Sequence, residues 1–92
     1  MRERRVEDHL VKRVKETGGI VRKVVFPGHR GAPDRMVGWR GKHFFVELKC
    51  PLTPTAEEHQ LREHEKLRSI GFVVVVLTSQ IEVEAFILAH AR

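Results

Sequence analysis

Two segments with strand-like composition, residues 34–39 and 42–50, are separated only by Arg40-Gly41. This dipeptide fits a tight hairpin turn, because glycine readily takes the backbone conformation that such a turn requires. A connection this short dictates which residues of the two strands face each other. It pairs Trp39 with Lys42, and every other pair follows from that one. The turn therefore predicts two antiparallel strands with a defined register.

The predicted register brings three charged residues to one face of the hairpin. Counting back from the turn sets Asp34 directly opposite Glu47, and opposed residues share a face with Cβ atoms about 4.5–5.5 Å apart. Side chains alternate along a strand, so Lys49 lies on the same side as Glu47. A turn at Gly41-Lys42 would instead set Asp34 opposite Lys49, on that same face. Only a three-residue loop without a bulge would turn Asp34 to the other side.

The hairpin is surrounded by elements of both secondary-structure types. An uninterrupted apolar run at 72–77 predicts a strand buried on both faces. Thr55 and Glu58 fit a capping box that would begin the second helix. The other elements are a helix at 3–17, a strand at 20–26, a loop at 27–33, the second helix to about Ile70, and a helix at 82–91. The order α-β-β-β-α-β-α predicts one α/β domain over residues 1–92, with a mixed sheet flanked by helices.

Two polar side chains fall inside the apolar stripes of the predicted helices. On a helical wheel, Glu7 lies between Leu10 and Val11, within the stripe of the first helix. Gln60 lies in the buried stripe of the second helix and therefore faces the sheet. The rest of that stripe is Ala56, Leu67 and Ile70, with His64 at its margin. A polar group that faces a core is costly unless it is paired or binds a metal, so both residues are site candidates.

These side chains together suit metal-assisted phosphodiester hydrolysis. Carboxylates such as Asp34 and Glu47 bind Mg²⁺ or Mn²⁺, ions that orient and activate water. Lys49 could position the attacking water or stabilise the negative charge of the transition state. Glu7 could add a third carboxylate, directly or through water, and the Gln60 amide could orient the water or Lys49. The inert alternative is an ion pair in which Lys49 only neutralises Glu47.

The charge of the chain favours a polyanionic partner. The net charge is +5, with seventeen Lys and Arg in 92 residues, and nucleic acid is the first candidate. The alternative is a basic protein whose charge serves solubility alone. The best candidates for phosphate contacts are His29, Arg30 and Arg35, on and beside a glycine-containing loop that brackets the predicted metal site. Trp39 could stack on a base, although an aromatic residue in a hairpin more often packs against its neighbours.

A single cysteine, Cys50, excludes an intramolecular disulfide and suits a reducing compartment. It follows Lys49 but points to the other face, so we expect a core thiol. The apolar run is too short to span a bilayer, and the charged start of the chain is unlike a secretory signal. These features predict a soluble intracellular protein. The six histidines form no zinc motif, and we expect them mostly at the surface or facing phosphates.

Over nearly the whole chain the pattern resembles the PD-(D/E)xK nuclease superfamily, and more closely its VRR-NUC family. The matching positions are Glu7, Gly31-Ala32-Pro33-Asp34, Glu47-Leu48-Lys49, Gln60 and the helix end with its following strand at 67–75. The resemblance implies a restriction-endonuclease-like fold. It also implies a Mg²⁺- or Mn²⁺-dependent DNA endonuclease of the small stand-alone viral or bacterial type.

The resemblance implies roles for single residues and for partners. The metal contacts that it implies are Glu7, Asp34, Glu47 and the backbone carbonyl of Leu48. Lys49 would be catalytic, and Gln60 would be an active-site residue. Small stand-alone members look like resolvases of four-way (Holliday) junctions that act as homodimers, which implies branched DNA and a second copy as partners. Two other interpretations stay open: a non-catalytic nucleic-acid-binding module on a nuclease scaffold, and an assembly subunit whose valine-rich strand and last helix build an interface.

Overall fold

In the computed structural model, which describes residues 3–91, four strands form one mixed sheet flanked by three helices. The elements are α1 (Glu3–Glu16), β1 (Ile20–Lys23), β2 (Arg35–Trp39), β3 (Lys42–Leu48), α2 (Glu58–Ser69), β4 (Val74–Leu77) and α3 (Gln80–His90). The predicted order α-β-β-β-α-β-α is confirmed. None of the described helices combines the length and the hydrophobicity that crossing a bilayer requires.

The hairpin register predicted from the Arg40-Gly41 turn is confirmed. β2 and β3 are antiparallel, Trp39 pairs with Lys42, and the ladder continues to Arg35 opposite Val46. One step further along both strands, Asp34 faces Glu47. The sheet order is β1-β2-β3-β4, with β1 antiparallel to β2 and β4 parallel to β3. A parallel pair needs a crossover connection, which α2 supplies.

The hydrophobic core lies between one face of the sheet and the helices α1 and α3. The predicted stripe of α1 has no exposed surface: Val6, Leu10 and Val14. Trp39 packs into this core with its ring 6.3 Å from Phe44 and 5.8 Å from Phe86, and its indole N–H donates to Thr17 Oγ1 at 3.1 Å. Trp39 is therefore a core residue, and the alternative of base stacking is wrong.

The other face of the sheet is covered in part by α2. Alternation along β3 directs Val46 and Leu48 into the core and turns Glu47 the opposite way. On that side Glu47 meets Gln60 and His64 of α2. The layer between β3 and α2 therefore contains the buried polar residues Glu47 and His64, while the hydrophobic core cluster lies between the sheet and α1/α3.

The start of α2 differs from its prediction. The helix begins at Glu58 with Glu57 as its N-cap residue, so the predicted capping box of Thr55 and Glu58 is wrong. The Gln60 side chain accepts the backbone N–H of Glu57 at 2.8 Å and thereby fixes the first turn. A local pattern could not reveal this, because Gln60 is held in place by a contact with the sheet.

The end of α2 differs as well. Gly71 has a φ of +102°, a conformation that glycine adopts at little cost at the end of a helix. The N–H groups of Gly71 and Phe72 donate to the carbonyls of Arg68 and Leu67 at 3.0 and 3.1 Å. The chain leaves the helix in this turn, so Ile70 is 74% exposed instead of lying in the predicted buried stripe.

All four strands are shorter than predicted, β2 by one residue at its start and β3 by two residues at its end. β4 begins only at Val74 and is an edge strand, since within residues 3–91 it pairs with β3 alone. Phe72 and Val73 are 45% and 50% exposed, so the prediction of a strand buried on both faces over 72–77 is wrong. β1 ends at Lys23 because its partner strand begins at Arg35, shortly after the buried Pro33, which has no N–H for the ladder.

Candidate active site

Glu47 is the centre of the polar cluster between β3 and α2. Its side chain is 2% exposed, and its Oε2 atom accepts a hydrogen bond from Gln60 Nε2 at 2.9 Å. Lys49 Nζ lies 3.6 Å from the same oxygen, so Glu47 and Lys49 share a face as predicted. The second oxygen, Oε1, has no hydrogen-bond partner within residues 3–91.

The surroundings of Glu47 favour its neutral form. Burial and, to a smaller extent, the neighbouring Asp34 carboxylate raise the pKa of Glu47 to about 8, although Lys49 opposes the shift. At neutral pH a carboxyl group with such a pKa is mostly protonated. The cluster thus has more carboxylate than positive charge, and an additional cation would favour the ionised form.

Asp34 is fixed beside Glu47 by the backbone of β3. The N–H of Leu48 donates to Asp34 Oδ2 at 2.8 Å. Burial raises the pKa of Asp34, the hydrogen bond from Leu48 opposes that shift, and the Glu7 carboxylate adds to it. The predicted pairing across the hairpin therefore produces two neighbouring carboxylates, both partly removed from solvent.

Glu7 is held in an ion pair and does not join the other two carboxylates directly. Arg35 Nε donates to Glu7 Oε2 at 2.6 Å, and each side chain is 20% exposed. Arg35, a predicted phosphate contact, thus neutralises a predicted metal ligand. Within the described part of the chain, no three His, Cys, Asp or Glu side chains are gathered as a ready metal site. The reason is topological, because Arg35 and Glu7 lie on the α1 side of the sheet and Glu47 lies on the α2 side.

Asp34 and Glu47 nevertheless fit a divalent cation. Mg²⁺ keeps several of its waters and is commonly bound through one or two protein carboxylates. Here one carboxylate raises the pKa of the other, and the Glu47 Oε1 atom has no partner among the residues described. The Leu48 peptide, tied to Asp34, is the nearby backbone group that could add its carbonyl oxygen. Glu7 could join through water.

His64 is the residue of this cluster that the sequence did not single out. It is fully buried, its Nε2 atom lies 3.8 Å from Glu47 Oε1, and burial lowers the pKa of its imidazole. The expectation that it lies at the margin of the stripe is wrong. A signal was present, because His64 follows Gln60 by four residues and precedes Leu67 by three, the spacing of a single helix face.

The loop before β2 is pressed against the backbone of α2. Gly31 has a φ of +86°, and a Cβ atom there would lie 2.6 Å from the His59 carbonyl oxygen, so only glycine fits. This contact brings His29 and Arg30 to α2, where they line a groove of about 250 Å³ together with His59, Arg62, Glu63 and Lys66. Two of the three predicted phosphate contacts therefore lie together, and Arg35 lies apart with Glu7.

A larger open cleft of about 930 Å³ borders the α1 side of the cluster. Glu7 and Arg35 line this cleft, and its remaining walls are Glu3, Arg4, Asp8, Lys23, Cys50 and Leu52. Cys50 is buried as predicted, but it lies at the cleft and outside the hydrophobic core cluster. Its Sγ atom is 3.1 Å from Thr53 Oγ1, and this hydrogen bond lowers the pKa of the thiol.

Comparison with known proteins finds relatives in sequence and in structure, although no family model matches the chain. "Putative nuclease p44" of Acyrthosiphon pisum secondary endosymbiont phage 1 is 50% identical over 82 residues, which cover 87% of this chain and 86% of that protein. A solved structure described as "VRR_NUC domain" matches with a TM-score of 0.86 and 38% identity. That match covers 98% of this chain and 97% of the other.

Proposed function

Because this chain belongs to the VRR-NUC family of nucleases, we propose that it is a Mg²⁺- or Mn²⁺-dependent endonuclease that hydrolyses phosphodiester bonds in DNA. The observation that carries the proposal is the buried cluster at the end of the hairpin, where Glu47 is 2% exposed and Lys49 Nζ lies 3.6 Å away. A buried carboxylate with an unpartnered oxygen is costly, and a bound cation would remove that cost. An inert Lys49–Glu47 ion pair would not explain why Asp34 is held beside the same group.

The residues of the cluster have separate tasks in this proposal. Asp34 and Glu47 would hold the divalent cation, which would supply Lewis-acid activation of the phosphate and its attacking water. Lys49 stabilises the negative charge that develops on the phosphate in the transition state. Gln60 fixes the orientation of Glu47 through its 2.9 Å hydrogen bond. Glu7, which is paired with Arg35, would take part only through water.

The DNA backbone, in this proposal, follows the basic residues on both sides of the cluster. Arg4, Lys23 and Arg35 line the large cleft on the α1 side. His29 and Arg30 lie in the groove on the α2 side. Phosphate contacts of this kind position DNA without reading its sequence, and they weaken as salt concentration rises. A DNA affinity that is independent of sequence and falls as salt concentration rises would support this part of the proposal.

We also propose that the substrate is branched DNA and that two copies of the chain act together. The support is the resemblance of this short chain to stand-alone resolvases of four-way junctions. A four-way junction has strands related by two-fold symmetry, and a homodimer carries two active sites with the same symmetry. Paired cuts on opposite strands would be the natural product of such a complex.

A cleavage assay tests activity and substrate class together. Purified protein is incubated with Mg²⁺ or Mn²⁺ and with duplex, flap and four-way junction DNA. Lys49→Ala should lower the cleavage rate by about 100-fold or more, the usual cost of one lost transition-state contact. Lys15→Ala is the matched control, because Lys15 is exposed on α1 and loses the same charge outside the cluster.

The outcomes separate the proposal from its rival. Lys15→Ala should cut like the wild type, and Lys49→Ala should keep its fold and its DNA affinity. Wild-type cleavage by Lys49→Ala would overturn the assignment of the site. Salt-sensitive binding without turnover in either metal would instead identify a nucleic-acid-binding module.

A further inference from the structure

His64 and Glu47 face each other with polar atoms that lack partners. His64 is fully buried, and neither of its ring nitrogens has a hydrogen-bond partner within residues 3–91. The same is true of the Glu47 Oε1 atom. Nε2 of the imidazole and Oε1 of the carboxylate are 3.8 Å apart. Buried polar atoms in folded proteins are nearly always paired, so two unpaired ones in contact are an exception that needs a cause.

The gap between these two atoms is small enough for a hydrogen bond to form by side-chain adjustment. An N–H···O bond has a length of about 2.9 Å, so closing the gap takes a movement of about 1 Å. Hydrogen bonds in active sites are often long in the ligand-free protein and shorten when the site is occupied. An imidazole can donate from Nε2 in its neutral or its charged form.

The spacing along α2 places Gln60 and His64 beside the same carboxylate, that of Glu47. Gln60 and His64 are four residues apart and therefore lie on one face of the helix. Gln60 already donates to the Oε2 atom of Glu47 at 2.9 Å. His64 is positioned to serve the remaining oxygen, Oε1.

We propose that His64 is a positioning residue that donates a hydrogen bond from Nε2 to Glu47 Oε1, so that Gln60 and His64 together hold both oxygens of the carboxylate. This inference rests on the proposed function, in which Glu47 is a ligand of the divalent cation. Each carboxylate oxygen can accept more than one contact, so Oε1 can accept the His64 N–H and still face a cation. Residues that orient metal ligands in this way tune metal affinity without touching the metal.

An apolar role explains His64 less well. Its neighbours in the buried face of α2 include Leu67, and an apolar side chain would fill the same space without two unpartnered nitrogens. A purely structural histidine at this position would bury two unpaired ring nitrogens without any interaction that offsets their desolvation.

Nuclear magnetic resonance of the metal-free protein at about pH 9, where Glu47 is ionised and can only accept, tests the contact directly. The ¹H–¹⁵N spectrum of the histidine rings should show His64 protonated at Nε2, with a downfield-shifted and slowly exchanging proton. His64→Gln identifies that signal by removing it. Glu47→Ala should remove the downfield shift, because the acceptor is gone. Protonation at Nδ1 alone, or a signal unchanged in Glu47→Ala, would overturn the proposal.

Two substitutions of similar size test what the contact does. The side-chain amide nitrogen of Gln lies near the position of Nε2 of His, whereas that of Asn does not reach it. His64→Asn should raise the Mg²⁺ concentration needed for half-maximal cleavage by about tenfold, and His64→Gln should restore it to near the wild-type value. A structural role would lower the melting temperature of both variants equally and leave their Mg²⁺ dependence alike. Equal Mg²⁺ dependence of both variants and the wild type would therefore overturn the positioning role.

The nuclear magnetic resonance experiment and the cleavage experiment together separate this inference from the proposed function. If the wild type cuts no DNA with any divalent metal, the nuclease proposal fails and the ring spectrum still decides whether His64 donates to Glu47. If either variant fails to fold, the wild-type spectrum with Glu47→Ala decides the same question.

Discussion

At the scale of single residues, the cluster opposes folding as long as it holds no cation. The pKa of Glu47 rises from its ordinary value of 4.5 to about 8, and burial also raises the pKa of Asp34. Between pH 4.5 and about pH 8, the folded protein keeps a proton on Glu47 that the unfolded chain has released. The free energy of unfolding of the metal-free protein therefore falls as pH rises from about 4.5 to about 8, and levels off above that range.

Glu47→Gln should remove this pH dependence in large part, because an amide does not titrate. In the presence of a chelator, the free energy of unfolding of the wild type should fall between pH 5 and pH 9, and that of Glu47→Gln should change less. Urea denaturation at a series of pH values measures both. Added Mg²⁺ should stabilise the wild type at high pH and leave Glu47→Gln nearly unaffected. A wild-type stability that rises with pH over this range would contradict the burial of Glu47 as a mostly neutral group.

At the scale of secondary-structure elements, α2 and the loop before β2 form one unit. Gln60 links the first turn of α2 to Glu47, with one amide atom bound to the Glu57 N–H and the other to the carboxylate. Gly31 lies against the same stretch of α2. Loop and helix thus hold each other in position over the end of the hairpin.

Gly31→Ala should disrupt the contact between the loop and α2, and Gly28→Ala is its matched control. Both glycines have a positive φ, +86° and +81°, so both variants carry backbone strain. Only at Gly31 would the new Cβ atom meet the His59 carbonyl, at 2.6 Å, while at Gly28 nothing lies within 4 Å. Gly31→Ala should therefore cost about 1–3 kcal/mol more than Gly28→Ala in urea denaturation. An equal loss of unfolding free energy in the two variants would mean that the loop does not pack closely against α2.

The elements that the sequence predicts best are those that depend on local chemistry. The Arg40-Gly41 turn sets its register through backbone geometry alone, and that register brought Asp34, Glu47 and Lys49 together. The errors concern residues whose environment is set from a distance. Ile70 continues the helical spacing but lies past the last turn, and the capping role of Thr55 is displaced because Gln60 is anchored on the sheet.

In the candidate site, too, the residues placed by local geometry could be predicted and those placed by distant packing could not. Glu47, Lys49 and Asp34 follow from strand alternation and turn length. The pairing of Glu7 with Arg35 could not be predicted, because it depends on how α1 crosses the sheet. His64 differs in its reason: helical spacing places it on the buried face of α2, but its importance lies in the unpartnered oxygen of Glu47, which only the packed structure reveals.

At the scale of the whole molecule, one part of the surface is unusually apolar. Met36, Phe72 and Val73 are 40%, 45% and 50% exposed, and they line one shallow groove together with His43, Phe44 and Phe45. The rings of Phe45 and Phe72 are 5.2 Å apart. Exposed apolar patches of this kind are common at protein–protein contacts, which makes this patch the candidate surface for the proposed homodimer.

Phe72→Glu should weaken that dimer, because a charge at the centre of an apolar contact must be desolvated. Light scattering after size-exclusion chromatography should give a mass near twice the monomer for the wild type and near the monomer for the variant. Leu88→Glu, at an 83% exposed position on α3, is the control and should not change the mass. A variant that still runs as a dimer would place the contact elsewhere, and a monomeric wild type would remove the proposal of a stable dimer.

The Arg40-Gly41 turn is at the opposite end of the hairpin from the cluster. Arg40 lies six positions beyond Asp34, and an extended strand of that length covers roughly 20 Å. Both turn residues are exposed. A fluorophore, an affinity tag or a tether to a solid support attached there would project away from the carboxylates. The short loop that sets the register of the strands is thus also a suitable attachment point, by which single molecules could be labelled or immobilised with the candidate active site left free.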